Sequence, residues 1–151
     1  MHRTLNSSVE IEINRPAEDV WTLVSDYSAD TRWRKGIVEM TPDVDGPPRV
    51  GTRVREVLEL AGRTYTTETA VTDVGPGLTY GFAGAGTSGR VSGRRTVTTS
   101  ASGDSARFSY EVRLEPGETM PRVVAPLLAR WLRHSMRRDL RRLRRLVEAA
   151  T

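Results

Sequence analysis

The chain has no cysteine, which removes disulfides and thiolate chemistry from consideration. It is nearly without lysine: Lys35 stands alone among 23 basic residues, a bias of the kind a GC-rich genome imposes. Histidine is almost as scarce. His134 is the only one away from the N-terminus, and no acidic cluster at ligand spacing accompanies it, so no metal site is expected and His134 reads as a solvated residue. No serine sits on a recognisable nucleophile turn, which leaves no Ser-His-Asp arrangement. No apolar run approaches the ~18 residues of a membrane span, and the longest, around Val123 to Ala129, is interrupted by Pro126. The charged-then-apolar pattern of a signal peptide is missing too. These absences predict a bacterial protein of the cytoplasm, and a length of 151 residues predicts one domain, 1–151, able to bury a substantial core.

What is present begins with a clean alternation. Val9, Ile11 and Ile13 share one face of a half-buried strand, with Glu10 and Glu12 on the other. Asn14 and Pro16 then mark a helix start, and the helix runs from Ala17 to about Ser25 with Val20, Trp21 and Val24 inward. A second helical piece spans Ser28 to Lys35. From Ile37 to Leu114 turn signals separate six strands, at 37–42, 52–60, 63–74, 78–83, 90–100 and 106–114. Connections this short imply antiparallel neighbours.

Strand parity assigns an inner face. It takes Val54, Glu56, Leu58 and Leu60; Tyr65, Thr67, Thr69 and Val71; Leu78, Tyr80 and Phe82; Val91, Arg95 and Val97; and Phe108, Tyr110, Val112 and Leu114. A one-residue bulge would invert any of these sets.

The last 30-odd residues read as one long amphipathic helix. Met120, Val124, Leu127, Leu128, Trp131, Leu132, Ser135, Met136, Leu140, Leu143 and Val147 recur at spacings of three and four, forming one stripe. Arginines fill the other face. Residues 119–151 carry nine Arg against Asp139 and Glu148, a balance of +7 that leaves −3 for the rest of the chain. A stripe this long needs a large apolar surface to lie on, and the strands supply one. A curved sheet gripping such a helix often encloses a cavity. Pro126 either kinks the helix or marks where it properly starts.

The run Pro16, Ala17, Glu18, Asp19, Val20, Trp21, then Val24, Ser25 and Asp26 with Trp33 shortly after, resembles the polyketide cyclase/dehydrase-like branch of the START/Bet-v-1-like (SRPBCC) superfamily. So do Gly51-Thr52 at a strand start, the stretch Val71 to Tyr80, and Leu140 to Leu143 with Glu148. The resemblance runs from about Val9 to Glu148. It implies an α+β helix-grip fold, β-α-α-β6-α: a seven-stranded curved antiparallel sheet wrapped around the C-terminal helix, with two short helices after the first strand. It also implies a cavity for a hydrophobic small molecule. Its members include lipid carriers, hormone receptors, aromatase/cyclases and ribosome-associated proteins, so the fold leaves the activity open.

Within such a cavity Glu56, Arg95 and Tyr80 are the candidate catalytic residues. A desolvated carboxylate has its pKa raised and suits acid–base work, and a guanidinium holds a developing enolate. That combination fits cyclisation or dehydration without a cofactor. The plainer alternatives are that Glu56 and Arg95 pair with each other, or that one faces solvent. Candidate ligand contacts are Trp33, Tyr65, Thr67, Phe82, Tyr110, Val124, Leu128 and Trp131; the tryptophans are equally at home as core. The resemblance to aromatase/cyclases implies a catalytic Arg in the middle of the strand 63–74, where this chain has Thr69 and Val71.

Gly84 to Gly89 matches G-x-G-x-x-G, but a strand follows instead of a helix, which excludes a dinucleotide site. A flexible loop over the cavity mouth is expected there. Two further readings remain. One is a non-catalytic carrier or sequestering protein. The other is an adaptor that docks on RNA, a ribosome or an anionic membrane, though not DNA, through Arg130, Arg133, Arg137, Arg141 and Arg144.

Overall fold

The computed structural model describes residues 4–60, 62–87, 89–117 and 125–150. The order is β1 (Leu5–Ile13), α1 (Ala17–Val24), a 3-10 turn (Tyr27–Ala29), α2 (Asp30–Trp33), β2 (Ile37–Pro42), β3 (Arg53–Leu60), β4 (Arg63–Val74), β5 (Leu78–Gly86), β6 (Gly89–Thr99), β7 (Ala106–Pro116) and α3 (Ala125–Ala149). The strands form one antiparallel sheet ordered β1-β7-β6-β5-β4-β3-β2. The first strand therefore closes beside the last, and α3 packs back over β1. This is the helix-grip architecture, α+β.

β1 starts at Leu5, earlier than its clean alternation at Val9. Its polar first half is ordered by pairing with Val112, Arg113 and Leu114 of β7, and parity carries Ser7 to the buried face. Pro16 is the residue that caps α1, with φ −57° and ψ 150°, and no side chain completes the cap. Glu18 and Asp19 lie in the first turn, where the helix dipole favours acids. Asn14, the other candidate cap, instead donates its N–H to Glu148 Oε2 at 2.8 Å, and Arg15 Nη2 reaches the Glu148 carbonyl at 2.9 Å. The entry to α1 is thereby tied to the end of α3.

The predicted helical piece 28–35 divides in two. Asp26 Oδ1 accepts from the Ser28 N–H at 3.0 Å and starts the 3-10 turn, which runs into the single turn of α2. Both are too short to hold themselves together in water, so the buried side chains Tyr27, Ala29, Asp30 and Trp33 must hold them to the sheet.

The inward sets assigned from parity all face the sheet's concave side, whether in the core or at a cavity wall. The side chain of Leu60 lies outside the described residues. Register irregularities fall at Ile37/Glu39 and Val71/Asp73, too near the strand ends to invert the inward sets.

Two expectations are corrected here. Gly84 to Gly86 do not form a loop: they belong to β5, paired with β4 on one side and β6 on the other. The reason is close approach, since a Cβ on Gly84 would lie 1.9 Å from the Glu68 carbonyl oxygen. Gly84 and Gly86 let β4 and β5 pack tightly. Leu127 is likewise not on the buried stripe of α3 but 65% exposed. At ~100° per residue it falls on the arc of Arg130 and Arg138, not that of Met136, Leu140 and Leu143. Pro126 lies in the first turn of the described helix, where a missing N–H is tolerated. Met120 and Val124 lie outside the described residues. No described helix is long and apolar enough to cross a membrane.

Candidate ligand-binding site

Between the concave face of the sheet and α3 lies a cavity of about 230 Å³. Its wall is mostly apolar: Leu58, Phe82, Val91, Val112 and Leu114 from the strands face Leu128, Trp131, Leu132 and Met136 from α3. Tyr65, Thr67 and Thr69 of β4 add hydroxyls, and Tyr110 of β7 adds a ring. This composition follows from two periodicities meeting. Alternate strand residues and every third or fourth helix residue point at the same space.

Five charged residues line the wall as well: Arg34, Lys35, Glu56, Arg95 and Asp139. Arg34, just past α2, donates from Nη1 to Glu56 Oε1 at 2.6 Å and to Asp30 Oδ2 at 3.2 Å. Both members of the Arg34–Glu56 pair line the cavity and keep partial exposure, 16% and 22%. Burial works against the charge on Arg34, but Glu56, Tyr110 and Asp30 outweigh it and raise its pKa.

Behind this pair the network continues inward. Asp30 is fully buried and takes two bonds from Arg95, Nη1 to Oδ1 at 2.9 Å and Nη2 to Oδ2 at 2.5 Å. Arg95 Nη1 also donates to the Val24 carbonyl and to Tyr80 Oη, both at 3.1 Å, while Tyr80 Oη donates to the same carbonyl at 2.8 Å. The guanidinium sits over three rings, with Cζ 4.8 Å from the Tyr110 centroid, 5.1 Å from Trp33 and 5.4 Å from Tyr27. Desolvation opposes the charge on Arg95, yet Asp30, Tyr80 and Tyr110 hold its pKa well above the usual value. Burial pushes the Tyr27 phenol up to about 12 and that of Tyr80 well above its ordinary value.

The structure thus places Glu56, Tyr65, Thr67, Phe82, Tyr110, Leu128 and Trp131 at the cavity wall. Arg95 also borders it, but its guanidinium is spent on Asp30 and its side chain is 1% exposed. Tyr80 and Trp33 do not reach the wall. Both are fully buried behind it, so the expectation that they meet a ligand directly is corrected. Glu56 and Arg95 do not pair with each other either; Arg34 and Asp30 stand between them.

Sequence reasoning does not find Arg34, Asp30, Tyr27 and Asp139 as site residues. Asp30 and Arg34 are four apart, which is legible as a helical ion pair but looks identical to a surface one. Asp139 borders the cavity from α3 and accepts the Lys35 N–H at 3.1 Å. Burial raises its pKa, and the Lys35 N–H and the positive charge of Arg34 only partly offset this. His134 is exposed. Among the described residues no three His, Asp or Glu gather in a way that would hold a metal.

This geometry, a curved sheet holding a mostly apolar cavity against a long helix, agrees with the comparisons. The family model described as polyketide cyclase / dehydrase and lipid transport matches residues 4–148. The chain belongs to this family. Its description spans cyclases, dehydrases and lipid transport, activities that share a hydrophobic small-molecule ligand. Among solved structures, the family chain is similar to TTHA0849 from Thermus thermophilus, with 19% identity, TM-score 0.81, and coverage of 97% of this chain and 99% of that one. It is similar to the Zhui aromatase/cyclase from Streptomyces sp. R1128 at 14% identity and TM-score 0.81, covering 97% and 94%. A START superfamily protein from Mycobacterium smegmatis matches over 100% of both chains at 18% identity and TM-score 0.79. At these identities the likeness is one of fold. No curated protein sequence matches this chain.

Proposed function

We propose that this family member binds a polyketide- or lipid-like hydrophobic molecule carrying an oxygen function, with that oxygen at Arg34 and Glu56. The observation that carries the reading is the Arg34–Glu56 pair, charged and partly exposed in a mostly apolar wall. An engineered cavity of about 150 Å³ holds benzene, so a space of about 230 Å³ suits a unit of two fused rings or an equivalent chain.

The reaction this arrangement serves best is cyclisation with loss of water. Arg34 holds a carbonyl oxygen as negative charge develops, and Glu56 takes the proton from the neighbouring carbon. The carbanion closes on a second carbonyl and Glu56 returns the proton to the new alkoxide; Glu56 then takes a second proton from the same carbon and delivers it to the departing hydroxyl, so that water leaves as the carbon–carbon double bond forms. Tyr80 supports this from behind by holding Arg95, which fixes Asp30, which in turn fixes Arg34. A second reading, a carrier that leaves its ligand unchanged, is favoured by Thr69 and Val71 standing where the resemblance to aromatase/cyclases implies a catalytic Arg.

Native mass spectrometry of protein purified from its own host, followed by denaturing extraction, identifies the ligand. Binding of naphthoate and naphthalene then tests the polar end. Arg34→Gln, and Arg34→Gln with Glu56→Gln, should weaken naphthoate at least tenfold, as loss of a charged hydrogen bond implies, and leave naphthalene unchanged. Equal loss for both, or none for either, would sink the assignment. Incubation with the extracted ligand decides between reaction and carriage: a dehydrated ring whose formation stops in Glu56→Gln supports the first, unchanged ligand the second.

A further inference from the structure

The solvent face of α3 carries its charge differently from the outer face of the sheet. On the sheet's outer face charges of opposite sign interleave: Arg107 pairs with Glu12 at 2.7 Å, Arg94 with Asp73, and Arg55 with Glu39 at 3.9 Å. On α3 they do not. Arg130, Arg133, Arg137, Arg141 and Arg144 are exposed, as are Arg138 and Arg145 between them. Helix geometry puts these positions within an arc of about 140° over a length of about 22 Å. Among the described residues none of these seven joins an ion pair. The acids of α3 lie elsewhere: Asp139 is buried on the opposite side, and Glu148 is engaged with Asn14 and lies beyond the last of these arginines.

A merely solvated face is usually built from mixed charges, because one sign alone repels itself. Seven uncompensated guanidiniums in one arc call for a polyanion. Two features select which kind. No Trp, Tyr or Phe lies in the arc to stack bases, as single-stranded RNA binders require. Leu127, 65% exposed, lies in the same arc one turn ahead of Arg130. An exposed apolar residue at one end of a basic helix face matches a surface that is charged outside and apolar just beneath, as an anionic bilayer is and a nucleic-acid backbone is not.

We propose that the outer face of α3 docks on an anionic lipid bilayer, the arginines against lipid phosphates and Leu127 at the boundary between headgroups and acyl chains. Leu127 adjoins Leu128, and Trp131 follows one turn later; both line the cavity. Docking therefore brings the cavity's α3 end to the lipid. The proposal does not depend on what the cavity binds.

The test is co-sedimentation of the full chain with phosphatidylcholine vesicles, with and without phosphatidylglycerol. Each basic residue near an anionic surface contributes about fivefold in affinity. Binding only to the anionic vesicles, falling steeply as salt is raised, is expected. The variant R133Q/R137Q/R141Q/R144Q should lose it by at least about a hundredfold. The variant R32Q/R53Q/R63Q/R107Q, with equal net charge, should lose much less. Leu127→Ser should weaken vesicle binding severalfold without changing the thermal midpoint. The salt series on the unmodified protein stands in should the α3 variant fail to fold. Equal binding to vesicles without phosphatidylglycerol overturns the proposal. So does equal loss in both quadruple variants, and so does tight binding of single-stranded RNA with none to anionic vesicles.

Discussion

Asp30 of α2 and Arg95 of β6 meet fork to fork, at 2.9 and 2.5 Å, with side chains 0% and 1% exposed. The pair joins a one-turn helix to the centre of the sheet and lies directly behind the Arg34–Glu56 pair of the cavity wall. Removing one partner leaves a charge buried alone. Asp30→Ala is expected to cost about 3–5 kcal/mol in denaturant unfolding. Replacing both, Asp30→Leu with Arg95→Met, should cost less than Asp30→Ala alone, because no buried charge is left behind. A double variant as unstable as the sum of the singles would show that the pair matters through shape and not charge.

The buried tyrosines set an alkaline limit. Tyr27, pushed up to about 12 by burial, and Tyr80, raised well above its ordinary value by the same cause, are neutral in the folded protein where exposed phenols ionise. Their folded pKa values exceed the unfolded one. The stability this contributes is complete below about pH 10 and is lost as pH rises through the folded values. Tyrosinate absorbance in the native protein should fall short of four phenols near pH 11, and the missing signal should appear only on unfolding. Tyr27→Phe should reduce that late signal by one phenol.

Asp139 makes the opposite kind of prediction at neutral pH. Burial raises its pKa, so the ionised carboxylate is less comfortable folded than unfolded. The stability linked to this raised value is present below the unfolded pKa and gone once pH passes the folded one. Asp139→Asn keeps an acceptor for the Lys35 N–H and removes the charge. Its thermal midpoint should exceed that of the parent at pH 7, and the two should converge below about pH 4. An Asn variant less stable at pH 7 would mean that Asp139 works chiefly as partner to Arg142, 3.7 Å away.

Gly84 probes how closely β4 and β5 approach. An added Cβ would fall 1.9 Å from the Glu68 carbonyl oxygen and 2.6 Å from Thr69 Cα, both backbone atoms with little room to yield. Gly84→Ala should destabilise by about 1–3 kcal/mol or more, the range for overpacking a tight interior. Denaturant unfolding reads this directly, and a neutral outcome would mean the strands separate more easily than the pairing implies.

Much of the fold was legible because its signals are periodic. The alternation of β3, β4, β6 and β7 placed Glu56, Thr67, Arg95 and Tyr110 on the inner face, and the structure has them there. The Gly84–Gly89 stretch misleads because glycine has two uses, turning the chain and letting chains approach, and a single sequence does not separate them. Leu127 misleads for a related reason. Spacings of three and four tolerate a residue at the edge of the stripe, and only the helix's rotation against the sheet shows which edge is wet.

The candidate site was legible in part. That polar groups would enter an apolar cavity followed from strand parity alone, which is local. Which of them would pair did not. Arg34 reaches Glu56 across 22 residues of sequence and Arg95 reaches Asp30 across 65. Those pairings depend on where a single turn of helix lands against a sheet, and nothing within that turn encodes it.

Element order, the antiparallel sheet, the inward faces and the segregation of positive charge to the last helix are written in the residues alone, since each of these rests on periodicity or on counting. The tertiary structure alone decided that Arg95 is a buried support while Arg34 faces the cavity. Desolvation and pairing are properties of a neighbourhood, and that neighbourhood exists only once α2, β3 and β6 have come together.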